Sequence, residues 1–426
     1  MVPKRGTWKY FEKLSHQYGP IVKVRMAGND FVVLSHPSDV EELASGYEEM
    51  QYKESLRLLV DLVKSPAEFY KHCARFPASL VFSLTYGKGL GDDGKDLAEV
   101  QSIFTTFIRD VGPGAHLVDT FPVLDLLPDF LSPWRAEARQ KHKWELEVYG
   151  RLALTVKARM GKDSEMECFV ARLWEQQEKL NLSNEEIYYS KRSFFAGSAF
   201  AAGTDPATLT LLWFVVAMAL YPETAKKAQQ EIDSVFESDV LPSFSRMKDL
   251  PYCSALVKEV FRWRPAAPLS IPHYTDADDE YKGYKSSSKS IQILKGTTVI
   301  GCVWNMHHNE EDFPNSYTFN PERYLSKASD TGDIAESLTE GHYGFGFGRR
   351  KCPGQHMAAK SEWIAMVRIL WGFNIERRMD AAGNIMDIDI EDCTPGLTAR
   401  PKEFPVNFVP RSAAHIETIM LNEGRI

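Results

Sequence analysis

The sequence predicts a mainly α chain with a small β portion, an α+β fold, in one large domain over residues 1–426. Three observations predict it. Apolar residues recur at helical spacing through most of the chain. Strand-like runs are confined to the two ends and to residues 269–304. No linker, internal repeat or low-complexity segment divides the chain.

Each element has a local reason. Ile21-Val-Lys-Val-Arg-Met26 alternates, and Asp30-Phe-Val-Val-Leu-Ser35 follows a Gly-Asn turn, so a hairpin is expected. From Glu48 to about Ser83 the pattern is helical: Leu56, Leu59, Val60 and Val63 share a face, and Pro66 opens a new segment. Residues 86–95 form a Gly/Asp loop. Residues 96–235 read as mostly helical, broken near Gly112-Pro-Gly114 and between Pro122 and Pro133. Ser183, with Glu185 and Glu186 in the first turn, is expected to cap a long helix running to about Leu220. Helices follow over Glu223–Phe236 and Tyr252–Trp263, the latter stopped by Pro265. Short strands are expected over 269–304, helix from Pro353 to about Trp371, and β structure with turns at Gly383 and Gly396 thereafter.

Composition narrows the function classes. The chain carries 58 acidic residues against 50 Lys and Arg, a formal charge of −8, with 44% apolar residues. This acidic balance excludes nucleic acid as the main partner, which would need a basic face. Six cysteines at 73, 168, 253, 302, 352 and 393 are too sparse for a disulfide scaffold, and no CxxC pairs them for zinc. A reducing, intracellular setting is expected. The positively charged start, Met1 to Trp8, is not followed by an apolar stretch, so no signal peptide or N-terminal anchor is expected. The longest apolar run, Leu209–Leu220, reads as a buried helix too short to span a bilayer. Peripheral membrane contact is left open.

The most informative stretch is Tyr343-Gly-Phe-Gly-Phe-Gly-Arg-Arg-Lys-Cys-Pro-Gly-Gln355. Its alternating glycines favour an irregular loop whose backbone another body can approach. Cys352 follows a basic triplet and precedes Pro353 at a helix start. Both features are expected to stabilise a thiolate, a soft metal ligand. A lone Cys is ordinarily a small buried hydrophobe; the surrounding pattern argues otherwise here. Cys352 with His356 as a zinc pair fails for want of a second pair.

Phe345-x-x-Gly348-x-Arg350-x-Cys352-x-Gly354 resembles, position for position, the haem-binding loop of the cytochrome P450 family. The resemblance covers about residues 7–412 and has the flavour of the fungal microsomal branch. It implies a haem-thiolate monooxygenase that uses electrons from an NADPH-dependent reductase. One atom of dioxygen would enter a small lipophilic substrate and the other would leave as water, with haem b as cofactor. Cys352 would be the axial ligand, Arg350 would point inward to a haem propionate, and Phe345 would pack beside the sulfur, with Gly354 completing the motif. Glu259 and Arg262, at i and i+3, together with Arg323 in Phe319-Asn-Pro-Glu-Arg323, would form a buried structural charge triad. His273 would be a second propionate donor. Ala202-Gly203-Thr204-Asp205 resembles the oxygen-binding helix, with Ala202 and Gly203 beside the iron and Asp205 delivering protons. Gly396-Leu397-Thr398 would touch substrate. His307 and His308 read as a turn pair with no role.

This sequence departs from the family pattern at several points. Pro206 and Ala207 stand where hydroxyl residues are expected; Thr208 is the next hydroxyl, two residues late and about 200° further round the helix. Between about Leu43 and Tyr52 the chain passes from the early sheet to a helix that normally comes later. The segment of the B-to-C helices, with its Trp/Arg haem clamp, is therefore expected to be missing, as is the anchor that holds the family at the endoplasmic reticulum facing the cytosol. These departures keep two alternatives open: a haem-thiolate isomerase or dehydratase needing no reductant, and a truncated, non-catalytic haem-binding remnant.

Overall fold

A computed structural model describes residues 17, 21–26, 29–34, 47–87, 95–110, 115–160, 168–175, 191–281, 291–325 and 337–426. The chain forms two compact units, Met1–Lys53 and Glu54–Ile426. In the first, β1 (Ile21–Met26) pairs antiparallel with β2 (Asn29–Leu34), Ile21 opposite Leu34 and Met26 opposite Asn29. This is the hairpin expected from the alternation. Helix α1 (Glu48–Lys64) crosses the boundary between the units.

The second unit is helical, in chain order α2 (Phe69–Tyr86), α3 (Lys95–Asp110), the short α4 (Leu117–Thr120), α5 (Pro133–Met160), α6 (Phe169–Glu175), α7 (Lys191–Leu220), α8 (Pro222–Asp233) and α9 (Pro251–Trp263). Three of these open on Pro, whose fixed φ and missing N–H suit the first helical position. Helix α2 ends on Gly87 in the left-handed region (φ +71°), its amide donating to Ser83 O at 2.8 Å. The expected breaks around Pro122–Pro133 appear as two 3-10 turns, Pro122–Leu126 and Asp129–Leu131. Two short sheets follow, β3 (His273–Tyr274) with β6 (Thr298–Val299) and β4 (Asp279–Tyr281) with β5 (Ile291–Ile293). The chain then forms α10 (Val303–His307), α11 (Gln355–Gly372), the antiparallel pair β7 (Phe373–Arg377) and β8 (Val406–Pro410), and α12 (Ala413–Leu421). The ending is thus β followed by helix: Ser412 caps α12 by accepting the His415 amide, which the sequence reading did not anticipate.

Helix α7 is the axis of the core. Residues 209–219 are buried on every side, so the helix shows no polar stripe. It is long and apolar enough over Phe200–Leu220 to cross a membrane, but 72% of that span is buried, which marks a core helix. The expectation that the run is too short therefore fails on length and stands on burial. Phe200 and Ala201 of its N-terminal half join Phe82, Tyr86, Val148 and Tyr149 in one cluster. Gly197 is required there, because a Cβ would collide with the Tyr149 ring. Truncating a fully buried aromatic such as Phe214 would cost about 3–5 kcal/mol. The cap expected at Ser183 lies outside the described residues. Pro206 lies inside the helical span and offers no N–H to the Ala202 carbonyl.

Candidate functional site

The cysteine loop is shaped first by its own backbone. Gly346 (φ +77°) and Gly348 (φ +65°) occupy the left-handed region, which an L side chain rarely adopts. The Gly346 amide donates to Tyr343 O and the Cys352 amide to Phe345 O, each at 2.9 Å. These bonds fold the loop back so that Cys352 lies under Phe345, just before α11. A Cβ on Gly346 or Gly348 would meet nothing within 4 Å, so the loop is open on that side.

Cys352 is half-buried. Burial pushes its thiol up, and the Gly354 amide, donating to the sulfur, pulls it down. This corrects one expectation. Arg350 and Lys351 are exposed to solvent, which screens their charge from the sulfur, whereas the helix start does contribute, through Gly354. Arg350 is exposed where the resemblance has it pointing inward. His273 is exposed on β3 with its ring stacked on Phe347 at 6.2 Å and 26°. The Phe347 ring in turn lies over Gly301, where a Cβ would collide with it. Val299, opposite His273 on β6, is exposed, as are Ile271 and Ile300 just outside the strands.

The charge triad assembles. Glu259 accepts from Arg262 Nε (2.7 Å) and Nη2 (2.8 Å), from Arg323 Nε (3.1 Å) and from the Asn320 amide (2.9 Å). Arg262 Nη1 continues to the carbonyl of His307 at 2.8 Å.

On α7, Ala202 is exposed and Gly203 has its Cβ direction against α2, where a methyl would lie 3.0 Å from Val81 Cγ2. Its small size therefore answers to helix packing. The Asp205 carboxylate is held by the Thr398 hydroxyl at 3.1 Å and by an ion pair with Arg400. The buried Thr208 hydroxyl donates to the Thr204 carbonyl at 2.9 Å. Asp205, Thr204, Thr208 and Arg400 line a cavity of about 90 Å³ beside α3. That is far below the 300–1,000 Å³ of an ordinary ligand pocket, so it suits several waters and not a substrate. Thr398 reaches Asp205, which sets its role beside the acid.

Arg264, missed in the sequence, is buried among Trp213, Trp263 and Trp304, with ring centroids 5.4, 4.7 and 4.9 Å from its Cζ, and reaches Glu391 at 3.2 Å. Trp213 also donates to Ala399 O at 2.9 Å. This cage fixes the turn that carries Thr398 and Arg400. Its only sequence signal was an Arg placed directly before Pro265.

The residues present fit a haem iron. Among the described residues no three His, Cys, Asp or Glu side chains converge on a metal, and a thiolate at Cys352 would suit, as a single protein ligand, a metal that brings its other donors with it. The open glycine face beside Cys352 lets a flat macrocycle approach the loop backbone.

Comparison with known proteins agrees. The family model described as Cytochrome P450 matches residues 47–408. Cytochrome P450 monooxygenase 58 of Postia placenta is 34% identical over 369 residues, 86% of this chain and 68% of that protein. Cytochrome P450 monooxygenase anuE of Penicillium roqueforti is 34% identical over 368 residues, 84% of this chain and 72% of its own. Cytochrome P450 monooxygenase fogE of Aspergillus ruber is 31% identical over 424 residues, 99% of this chain and 73% of its own.

Proposed function

We propose, from the premise that the chain belongs to the cytochrome P450 family, that it takes electrons from an NADPH-dependent reductase and oxygenates a small lipophilic substrate. As a member it binds haem and is an oxidoreductase that incorporates molecular oxygen. The observation that carries the finer reading is Cys352, a half-buried thiol at the open face of a glycine loop with the Gly354 amide on its sulfur. Haem b, when bound, supplies the oxygen-activating redox chemistry at that sulfur.

The chain's own residues do the rest. Cys352 binds as thiolate, and the Gly354 amide moderates the charge on sulfur. Phe345 fixes the Cys352 amide through its carbonyl. Arg350 and His273 face solvent at the rim, where they would receive the propionates, and Ala202 offers a bare helix surface. The Asp205 carboxylate lies beside the water-sized cavity, where it would pass protons inward, while Arg400 and Thr398 keep the group oriented.

A second reading is favoured by Pro206. It replaces a hydroxyl residue next to Asp205, and the Thr208 hydroxyl is engaged with the Thr204 carbonyl. The chain would then rearrange or dehydrate an oxygenated lipid without reductant.

We further propose that the protein lies against a membrane surface, that of the endoplasmic reticulum. Leu117, Phe121, Val123, Leu126, Phe130 and Leu131 are exposed within fifteen residues, while Asp125 and Asp129 between them are paired with Arg135. With Arg139 also on Asp129, two guanidinium groups match these two carboxylates and leave a mainly apolar surface around them. Phospholipid vesicles should sediment the protein, and Leu126→Ser with Phe130→Ser should weaken this at least fivefold.

The main test is the ferrous carbon-monoxide difference spectrum of the haem-loaded chain, followed by product analysis with reductase and NADPH. A strongly red-shifted thiolate band lost in Cys352→Ser, with product carrying ¹⁸O from labelled dioxygen, supports the oxygenase. Turnover of a lipid peroxide without NADPH, and no ¹⁸O incorporation, supports the second reading. No thiolate band in the wild type overturns both.

A further inference from the structure

Two histidines outside the cysteine motif meet the loop at its first residues. His307, at the end of α10, is fully buried, and its Nε2 accepts the Tyr343 amide at 2.7 Å. His342 is buried too. Its Nδ1 accepts the Gly344 amide at 3.0 Å, and its Nε2 lies 2.9 Å from the Leu338 carbonyl oxygen. A backbone amide only donates and a carbonyl only accepts, so both tautomers are determined. His342 carries its proton on Nε2 and His307 on Nδ1, and the nitrogen facing the loop is bare in each.

These contacts run on to the sulfur ligand. The His342 ring stacks on Phe261 of α9 at 5.3 Å and 26°, and lies 5.8 Å from the Phe345 ring. Phe345 packs on the same Phe261 at 4.9 Å. A Cβ on Gly344 would lie 3.1 Å from His342 Nδ1 and 3.2 Å from Phe261 Cβ, so the loop backbone is pressed between histidine and helix. Phe345 then receives the Cys352 amide through its carbonyl at 2.9 Å. On the other side, the His307 carbonyl receives Arg262 Nη1, which joins the Glu259 pair to the loop.

We propose that His307 and His342 are positioning residues for Cys352: as neutral acceptors they clamp the Tyr343 and Gly344 amides against α9 and so set where Phe345 holds the cysteine. Only the spectroscopic part of the test rests on the haem reading above. Burial keeps both rings neutral, with His307 pushed down to about 2 and His342 to about 4. A protonated ring would turn an N–H against the amide it now accepts.

The test uses the full chain and two substitutions at one position. His342→Asn keeps an acceptor oxygen close to the Nδ1 position, and His342→Leu removes it while filling the space. Amide hydrogen exchange over residues 340–352 needs no haem. It should rise at least tenfold in His342→Leu relative to α9, a shift of about 1.4 kcal/mol in local opening, and stay within about threefold of wild type in His342→Asn. In the haem-loaded protein, His342→Leu should move carbon-monoxide absorbance from the thiolate band toward that of a neutral thiol, and His342→Asn should restore it. Unchanged exchange in a folded His342→Leu overturns the proposal. So does loosening of the loop by Asn as much as by Leu, which would leave the ring acting by packing alone. If His342→Leu does not fold, His342→Ala takes its place in the same comparison with His342→Asn. A wild type without a thiolate band fails the functional reading alone, because exchange still reports on the clamp.

Discussion

Glu259 and Arg262 form a bidentate pair at 2.7 and 2.8 Å with neither side chain exposed to solvent. A buried pair of this kind gains little over apolar residues of equal size, but removing one partner strands the other charge in the core. Arg262→Ala should therefore cost about 3–5 kcal/mol of unfolding free energy. Arg323→Ala, which loses one 3.1 Å bond to the same carboxylate, should cost about 1–2 kcal/mol. Urea unfolding followed by tryptophan fluorescence reads both. Equal losses would mean that the carboxylate does not distinguish the two arginines.

This pair was legible in the sequence because i and i+3 on a helix must be neighbours, and the cysteine loop was legible because glycine, arginine and proline act locally on the backbone. Asp205 with Arg400 was not, since 195 residues separate them and no local rule links them. His307 read as part of a turn because its partner, the Tyr343 amide, is supplied only by tertiary packing. Helix α12 was missed although Ser412 is a proper cap; nine residues carry too little periodicity to be distinguished from the strand before them. At Cys352 the helix start acts on the sulfur through the Gly354 amide as expected, whereas Arg350 and Lys351 are turned away from it. Sequence proximity of Arg350 and Lys351 does not fix which way long side chains point, and here they point to water.

Asp205 is tied to the late turn through Thr398 and Arg400, so its charge matters more than its shape. Asp205→Asn keeps an acceptor for Thr398 and loses the ion pair. In a reductase-driven assay it should lower product formed per NADPH at least tenfold while the carbon-monoxide spectrum stays that of wild type. Product per NADPH unchanged in this variant would remove Asp205 from proton delivery.

Glu362 on α11 is buried, and among the described residues neither carboxyl oxygen has a hydrogen-bond partner. Burial holds its proton on, well above the usual carboxylate range, and the same group helps push up the thiol of Cys73. Above the unfolded value near 4.5 the unfolded chain releases this proton and the folded chain keeps it, so Glu362 lowers stability as pH rises. Glu362→Met should raise the unfolding free energy at pH 7 by roughly 1–3 kcal/mol, with a smaller gain at pH 4.5. Denaturation at the two pH values measures the difference, and a pH-independent gain would mean that packing alone is responsible.

His342 has the opposite sign. Its folded value lies near 4 against 6.5 for the free side chain, because burial leads and the nearby Lys258 and Lys351 add to it, opposed by the Leu338 carbonyl. Below pH 6.5 the unfolded chain takes up a proton that the folded chain refuses, so stability should fall as pH drops from 6.5 toward 4. For one such group the loss is about 3 kcal/mol by pH 4. His307, buried beside His342 with Arg262 close by, is held lower still and steepens the same fall. His342→Asn cannot titrate, so its stability curve should be flatter over this interval than that of wild type, while Glu362→Met should leave the slope below pH 4.5 unaltered. Parallel curves for His342→Asn and wild type between pH 6.5 and 4 would show that the ring is protonated in place, and that the loop tolerates a charge where it now accepts the Gly344 amide.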